Sequence, residues 1–361
     1  MVDPRLQTRR RSFVIATSWA ESAISEEFRA LASTLQERGH TVQLIVDGHR
    51  HVAPGSDGIS HIATWPSRRP TRVRDFVFLD RLLRARRPDT VIANFGSVNV
   101  CTVTAWAHGV RSRLAWYHTL EAANVLDHGD TLVGRLRRHR KRWVYRLATG
   151  IVANSHAAAE DVSVRFGVPS DRILVRHPAV ADVGAPGSSA RRGAVCVGRL
   201  DATKGQDVLV RALVLVPDLE VTFLGAGPER ERLESLAGEV GVSDRCVFRG
   251  RVSRDEVYRA LQRATLSLVP SRAEAFGVVA VESLACGTPV VASRTGGLVE
   301  IVRDGIEGAL ATPGEPASLA LAMRRCLASA ESMREPARDR FLSTFELTRC
   351  VRELADELEQ A

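Results

Sequence analysis

Short apolar runs alternate with amphipathic helical patterns along the whole chain. In the first half, runs rich in β-branched residues predict strands near 13–17, 41–46, 91–94, 114–117 and 150–153. In the second half, similar runs predict strands near 194–197, 220–224, 246–248, 266–269 and 289–292. This alternation is typical of parallel sheets covered by helices on both faces. We therefore predict an α/β protein of two Rossmann-like, doubly wound domains that face each other across a cleft.

A stretch of small residues separates the two halves. It covers 183–190, consists of valine, glycine, alanine, proline and serine, and is the best candidate for a linker. We predict a first domain over 1–183, a second over 191–344 and a last helix within 345–361. The length of 361 residues agrees with this division, since chains of this size commonly form about two domains.

An amphipathic helix pattern follows the first predicted strand. Ile24, Phe28, Leu31 and Leu35 recur at three- and four-residue steps. The arginines before the strand resemble a twin-arginine export signal, but the apolar stretch behind them covers only 13–20. We therefore predict a basic tail rather than an export signal. No apolar run approaches the roughly 18 residues needed to span a bilayer.

A turn with two basic residues follows the strand predicted at 194–197. Lys204 is one of only two lysines in a chain with 50 lysines and arginines, and Lys141 is the other. A compact ammonium suits a point contact with phosphate oxygens, whereas the planar guanidinium of Arg199 suits a bidentate contact. Arg199 and Lys204 are therefore candidates to bind a diphosphate from two sides. The alternative is a surface turn with two ordinary charges.

Two glutamates lie beyond the strand predicted at 266–269. Glu274 lies in a loop, and Glu282 lies inside a helix that is otherwise apolar or small apart from Ser283. Such a helix is expected to be buried, and a buried carboxylate without a partner is costly. Two kinds of partner for Glu282 are open, namely the paired hydroxyls of a sugar diol or an arginine side chain.

Four motifs in the second half resemble those of the retaining glycosyltransferases of family 4. They are Val-Gly-Arg-Leu-x-x-x-Lys-Gly at 197–205, Glu-Ala-Phe-Gly-Val-Val-x-x-Glu-x-x-Ala-x-Gly-x-Pro-Val-Val-Ala at 274–292, Thr-Gly-Gly-Leu-Val-Glu at 295–300 and Asp-Gly-Ile-Glu-Gly at 304–308. The resemblance covers about 194–310. It implies a GT-B fold, a nucleotide-sugar donor and a last helix that packs back on the first domain.

The resemblance also implies which residues contact the donor. Those that bind the diphosphate are Arg199, Lys204 and the backbone amides of Gly277 and Val278, at the start of the buried helix. By similarity, Glu282 holds the ribose hydroxyls and Glu274 reaches the transferred sugar.

The base and the metal requirement are less directly indicated. Arg251 and Val252 lie in a turn that is expected to offer backbone groups to the base, so side chains alone do not identify the base. The expected co-substrate is a UDP- or GDP-sugar. No Asp-x-Asp cluster is present, and positive side chains with a helix terminus can neutralise a diphosphate. We therefore predict that no cofactor and no metal are required.

The first half offers one catalytic candidate. His118 follows the strand predicted at 114–117, where it would face the donor, and we predict that it contacts the transferred sugar. The alternative is a histidine that only caps the next helix. The first turn departs from the family, because 17–22 contains no glycine pair and has Trp19 as a candidate acceptor-facing residue. The acceptor is therefore not identified.

The charge distribution and the cysteines indicate which partners and which compartment to expect. The net charge is +8, and basic residues are concentrated at 135–146. That block is interpreted as a solvated helix face, a peripheral contact with anionic membrane or a surface for an acidic acceptor. Nucleic acid is not an expected partner, because no aromatic platform or binding module accompanies the charge. Six scattered cysteines favour a reducing, cytoplasmic compartment rather than a zinc site or disulfides.

These observations favour a retaining hexosyltransferase that moves a sugar from a nucleoside diphosphate to an acceptor hydroxyl. The resemblance implies front-face attack assisted by the leaving phosphate. Two alternatives share the architecture: a sugar-nucleotide epimerase and a sugar-nucleotide-binding protein without catalysis.

Overall fold

The computed structural model describes residues 10–47, 58–123, 131–184 and 191–360. The predicted basic tail at 1–9 and most of the predicted linker, at 185–190, lie outside the described residues. The described chain forms two α/β domains, each built on one parallel sheet. It contains no helix long and apolar enough to cross a membrane.

The first domain is built on a seven-stranded sheet. Its strands are β1 (Ser12–Ala16), β2 (Thr41–Val46), β3 (Ile62–Thr64), β4 (Thr90–Ala93), β5 (Ser112–Tyr117), β6 (Gly150–Ala153) and β7 (Ile173–Val175). Its helices are α1 (Ala23–Glu37), α2 (Val73–Arg86), α3 (Val98–Ala107), α4 (Leu132–Leu147) and α5 (His156–Phe166). The strand order is β3-β2-β1-β4-β5-β6-β7, which is the Rossmann order with one more strand at the end.

The second domain repeats this plan with six strands. They are β8 (Ala194–Val197), β9 (Val221–Leu224), β10 (Cys246–Gly250), β11 (Leu266–Val269), β12 (Val290–Ser293) and β13 (Gly308–Ala311), in the order β10-β9-β8-β11-β12-β13. Its helices are α6 (Gln206–Ala212), α7 (Arg230–Glu239), α8 (Arg254–Arg263), α9 (Val278–Ala285), α10 (Leu298–Ile301) and α11 (Pro316–Thr344). A last helix, α12 (Leu347–Gln360), follows.

The predicted fold class of two Rossmann-like domains is confirmed. All ten predicted strands are present within a residue or two of their predicted positions. The sequence pattern misses β3, β7 and β13, and each of these is the last strand at one edge of its sheet. Strands β3 and β7 have only three residues and are incompletely buried. Strand β13 is buried but reads Gly-Ala-Leu-Ala, without a β-branched residue, so it leaves a weak strand pattern.

Helix α1 shows how the sequence sets the first domain. The Ser22 side chain accepts a hydrogen bond from the Ser25 amide and starts the helix, and Gly39, at φ +88°, follows its end. The apolar stripe that includes Phe28 and Leu31 is fully buried against β1. The helix therefore presents its first turn to the cleft while its inner face completes the core.

Helix α12 packs on this same domain rather than on the one that precedes it in the chain. Val351, Leu354 and Leu358 join the core cluster formed by α1 and the first sheet. Burial of such side chains contributes roughly 1.5–3 kcal/mol each. At the rim, Arg38, directly after α1, lies 2.6 Å from Asp356.

The two connections between the domains run side by side. The Val180 amide donates to the Phe345 carbonyl at 2.9 Å, and the Leu347 amide donates to the Val180 carbonyl at 2.9 Å. Glu300 of the second domain accepts hydrogen bonds from the His156 and Ala157 amides at the start of α5. The domains are thus joined by paired backbone and by a carboxylate that caps a helix of the other domain.

Candidate active site

A cavity of about 250 Å³ lies between the two domains at the carboxyl ends of β8 and β11. The second domain supplies the turn after β8, the loop after β11 and the start of α9. The first domain supplies Ile24 from α1, His118 after β5 and Asn154 after β6. In sheets of this type, ligands bind beyond the carboxyl ends of the strands, so this cavity is the candidate site.

Lys204 reaches the cavity from a short turn whose shape requires glycine. The Asp201 side chain accepts from the Lys204 amide at 3.1 Å and closes the turn. Gly205 follows at φ +66°, and a Cβ there would lie 2.2 Å from the carbonyl oxygen of Pro270. The turn is therefore pressed against the loop after β11, which fixes the lysine beside that loop.

Glu274 is the direct partner of this lysine. Lys204 Nζ lies 2.7 Å from Glu274 Oε2, and the Ser271 hydroxyl donates to the same oxygen at 3.1 Å. The Gly297 amide donates to the Glu274 carbonyl at 3.2 Å, and a Cβ on Gly296 would approach that carbonyl oxygen to 1.7 Å. Gly296 and Gly297 therefore pack directly against the backbone of the loop after β11, and this contact fixes Glu274 beside the cavity.

The start of α9 adds a positive end of a helix dipole. Gly277, at φ +110°, precedes the helix and has no side chain to cap it. The first helical hydrogen bond runs from the Ala280 amide to the Gly277 carbonyl at 2.8 Å. The amides before it, at Val278 and Val279, belong to residues that line the cavity. They are suited to donate hydrogen bonds to an anionic oxygen there.

Glu282 is buried in α9 but does not line the cavity. Its carboxylate lies 3.5 Å from the Tyr258 hydroxyl and 3.8 Å from Arg254 Nε. Burial raises its pKa to about 7, and the nearby Arg254 charge opposes this rise. Arg254 is itself bound by Glu26 of the first domain at 2.6 Å. The arginine predicted as one partner of Glu282 is therefore present as Arg254, but at the long distance of 3.8 Å. The other predicted partner, the paired hydroxyls of a sugar, stays a prediction.

His118 is held from the first domain by Asn94. The Asn94 Oδ1 atom accepts from the Phe95 amide at 2.8 Å, so the His118 Nε2 atom, 2.5 Å away, donates to it as well. The Phe95 ring stacks on the imidazole at 5.2 Å. Burial lowers the pKa of His118 to about 4. The neutral ring therefore presents Nδ1, which has no partner among the described residues, as an acceptor for a hydroxyl.

Sequence reasoning missed two further residues of the cavity. Asn154, directly after β6, has a buried amide oxygen without a hydrogen-bond partner, and so does Gln206 at the start of α6. Both line the cavity together with His118. Their position just beyond a strand or turn is the one signal that could have indicated them. Unpaired buried acceptors at one cavity point to donors supplied by a ligand such as a sugar.

Three further predicted donor residues, besides Glu282, lie outside this cavity. Arg199 is largely exposed at its edge, where Nε lies 2.5 Å from Asp201. Arg251 and Val252 line a separate cavity of about 620 Å³ beside β10. Because β10 is two strands from β8, this turn lies roughly 10 Å from the lysine turn, the spacing of two strand intervals. Of the predicted site residues, Lys204, Glu274, Gly277, Val278 and His118 meet at the cavity, whereas Glu282 and these three do not line it.

Trp19 and the basic block at 135–146 do not line the cavity. The Trp19 ring packs under Arg29, at 4.9 Å, and its amide donates to Asp47. The block 135–146 lies on α4, which exposes Leu136 and Trp143. Among the described residues, no group of three or more histidines, cysteines or acids could hold a metal. All six cysteines are free thiols.

Two family models cover most of the chain. The model for glycosyl transferases group 1 matches residues 188–340, and the model for glycosyltransferase family 4 matches residues 28–182. The chain therefore belongs to the family 4 glycosyltransferases, which agrees with the GT-B arrangement of its two domains.

Relatives and solved structures agree with this assignment. The D-inositol 3-phosphate glycosyltransferase of Mycolicibacterium gilvum is 39% identical over 221 residues, which is 55% of this chain and 49% of that protein. Sucrose-phosphate synthase from Thermosynechococcus elongatus has the same fold, with a TM-score of 0.80 and 20% identity over 97% of this chain and 99% of that one. Anabaena HepE in complex with UDP-glucose aligns with a TM-score of 0.77 and 18% identity, covering 98% of this chain and 100% of that one. The chain spans about half the length of the curated relatives it matches.

Proposed function

We propose that this protein transfers a hexose from a nucleoside diphosphate sugar to an acceptor hydroxyl and retains the anomeric configuration. The observation on which the proposal rests is the Lys204–Glu274 ion pair at the cavity, with the acceptor atom His118 Nδ1 belonging to the opposite wall. The complex of HepE with UDP-glucose supports uridine as the base. Metal is not required in this proposal, since Lys204 and the start of α9 supply positive charge.

The ion pair is suited to exchange partners when the donor enters. A diphosphate oxygen takes the Lys204 ammonium, and the Glu274 carboxylate then accepts a hydrogen bond from a hydroxyl of the sugar. The neutral His118 accepts from another hydroxyl through Nδ1. Asn154 and Gln206 have the unpaired oxygens that complete the set of acceptors around a polyhydroxylated ligand.

In the transfer step, the bond between the anomeric carbon and the phosphate oxygen breaks. The acceptor oxygen bonds to the same face of that carbon, and the acceptor proton passes to the departing phosphate oxygen. Lys204 and the helix amides stabilise the charge that develops on the diphosphate. No protein nucleophile is required, which is why we expect retention without a covalent intermediate.

A panel of nucleotide sugars tests this function. The protein is incubated with UDP-, GDP- and ADP-glucose and a panel of hydroxyl acceptors (sugars, polyols and their phosphates), with and without EDTA, and the glycoside products are followed by mass spectrometry and proton NMR. We expect EDTA-resistant release of the nucleotide from one donor, and a product with the anomeric configuration of that donor. An isomerised donor would identify an epimerase, and an inverted product would overturn retention. Binding of the nucleotide without any turnover would overturn the proposed activity.

A further inference from the structure

The cavity of about 620 Å³ beside β10 is a groove on one face of the second sheet. Its floor includes Thr222 and Leu224 of β9, next to the edge strand β10. Leu224 packs in the same core cluster as Leu261 of α8, so α8 runs along one side of the groove. No described residue lines both this groove and the active-site cavity. We call it the α8 groove, since it lies between α8 and the strands β8, β9 and β10.

The arginines that line the α8 groove have no side-chain partners. Most arginines of the second domain form a hydrogen bond or an ion pair, as Arg272 does with Asp207 at 2.7 Å. Among the described residues of this domain, the arginines whose side chains form neither are Arg192, Arg211, Arg249, Arg251, Arg259 and Arg263. All of these except Arg211 line the α8 groove. The positive charge that the domain leaves unpaired is therefore concentrated at one place.

The lining of the groove includes one carboxylate, which is already engaged. Glu256 Oε2 accepts from the Ser253 amide at 2.9 Å and from the Ser253 hydroxyl at 2.8 Å. These hydrogen bonds, and then the nearby charges of Arg259 and Arg249, hold the pKa of Glu256 below its ordinary value. Five guanidinium groups and one ionised carboxylate leave the groove strongly positive.

The arginines are spread along the length of the groove. Arg192 and Arg263 lie together at the amino ends of the strands, because the Arg192 amide donates to the Arg263 carbonyl at 2.9 Å. Arg259 lies one turn of α8 before Arg263, about 6 Å along the helix. Arg249, near the end of β10, lies roughly 15 Å along the strands from Arg192. A ligand that meets several of these charges must therefore be extended and carry several negative charges itself.

The rest of the lining favours a chain of phosphates over other polyanions. A guanidinium binds a phosphate through two parallel hydrogen bonds, so consecutive phosphates match a row of arginines. Among the described residues of the lining there is no aromatic side chain, and single-stranded nucleic acid is typically bound by stacking on such side chains. Val195 and Leu224 are buried in the floor, so these apolar side chains are not available to enter a membrane. The volume is in the range of small-molecule sites.

We propose that the α8 groove binds a linear chain of three or more phosphates, recognised through the phosphates alone. Arg192, Arg259 and Arg263 bind a short chain at one end of the groove, and a longer chain extends toward Arg249. The groove is separate from the candidate active site, and the proposal does not depend on the transferase function proposed above.

Calorimetric titration with a series of anions tests the proposal. The probes are orthophosphate, pyrophosphate, tripolyphosphate and a longer linear polyphosphate, with citrate as a compact anion of three carboxylates. We expect the affinity to rise with chain length, and tripolyphosphate to bind at least about tenfold more tightly than orthophosphate or citrate. ATP should bind no more tightly than tripolyphosphate, because the lining offers no aromatic ring to its base. Equal affinities for all these anions, or tighter binding of ATP, would overturn the proposal.

R259Q and R263Q locate the binding, and R211Q is the matched control. The first two should each weaken tripolyphosphate binding about tenfold, in line with the loss of a charge-assisted hydrogen bond. Arg211 is also exposed and without a side-chain partner among the described residues, but it lies on α6, which packs on the other face of the sheet. R211Q should leave binding unchanged, and the melting temperatures of all three variants should match the wild type. Equal effects of the three substitutions would contradict a site in the groove.

The last arm separates the groove from the candidate active site. Tripolyphosphate binding is measured with and without saturating UDP, and in K204A, which removes the lysine of the active-site cavity. We expect the same affinity in all these conditions. Binding that is lost in K204A but kept in R259Q would place the phosphate chain at the active site and overturn the proposal. Since the readout is binding, a protein that transfers no sugar would give the same results, so the two proposals fail separately.

Discussion

The two domains share a strand order, but they build their edges of the cleft differently. In the second domain, the turn after the central strand β8 is shaped by backbone contact, since Gly205 lies against the Pro270 carbonyl. In the first domain, the corresponding turn after β1 has no glycine. It is held by side chains instead, through the hydrogen bond from the Ser18 hydroxyl to Asp47 and the packing of Trp19 under Arg29.

This difference explains why one edge is recognisable from sequence and the other is not. A turn that passes within contact distance of another backbone accepts only glycine at the close point, so its sequence is restricted. A turn held by side chains has many equivalent solutions. Under the proposed function, the second domain forms the donor edge, which has a recognisable motif, and the first domain forms the acceptor edge, which is less restricted in sequence.

Removing the charge at the donor edge should have the largest effect. We expect K204A to lower kcat/KM about a thousandfold, because the ammonium stabilises the diphosphate and holds Glu274. Steady-state assays with the preferred donor measure this. K141A removes the other lysine, on α4, and should leave the kinetics unchanged. Similar losses of kcat/KM in K204A and K141A would mean that the effect does not depend on the position of Lys204 at the cavity.

A change on the acceptor side of the cleft should affect turnover rather than donor binding. We expect H118A to lower kcat about a hundredfold, with the donor KM changed less than threefold. Since burial lowers the pKa of His118 to about 4, kcat should show no acidic limb near pH 6.5. N94A, which removes the hydrogen bond that orients the ring, should lower kcat less than H118A. A rise in donor KM with kcat unchanged would contradict this division of roles.

The smallest kinetic effect is expected for E282Q. This substitution should weaken donor binding and, at pH 8, increase the stability of the folded protein. The pKa of Glu282 is raised to about 7 by burial, so its ionised form, which is the form predicted to accept the ribose hydroxyls, is lost as pH falls from 8 to 6. We expect the donor KM of the wild type to rise over that range. E282Q should show a donor KM about tenfold higher at pH 8, without this pH dependence.

The same pKa has a consequence for stability. A carboxyl group with a raised folded-state pKa binds its proton more tightly when folded, so the free energy of unfolding falls as pH rises from about 4.5 to 7. E282Q removes this loss and should be more stable than the wild type at pH 8, by roughly 2–3 kcal/mol. Thermal unfolding at pH 5 and pH 8 checks the sign. A variant that is less stable at pH 8 would mean that Glu282 is held by Arg254 more strongly than the 3.8 Å contact suggests.

The sheet interiors could be predicted because buried strands leave a strong apolar pattern. The sequence missed β3 and β7, which are three residues long and incompletely buried, and β13, whose buried residues are mostly small. In the site, the sequence indicated Lys204 and Glu274 separately but not their contact, because 70 residues separate them. Asn94, Asn154 and Gln206 were missed because a single amide after a strand or turn is common, and only the fold shows that three of them meet at one cleft.

The position of α12 has a consequence for how the chain is made. The last 14-residue helix covers a face of the first strand and of α1, so the amino-terminal half leaves the ribosome with that face bare. Its core closes only after the chain has been synthesised through α12. Cutting the protein between its domains would therefore yield one piece that lacks a covering helix and another that carries a helix with an unpaired apolar face.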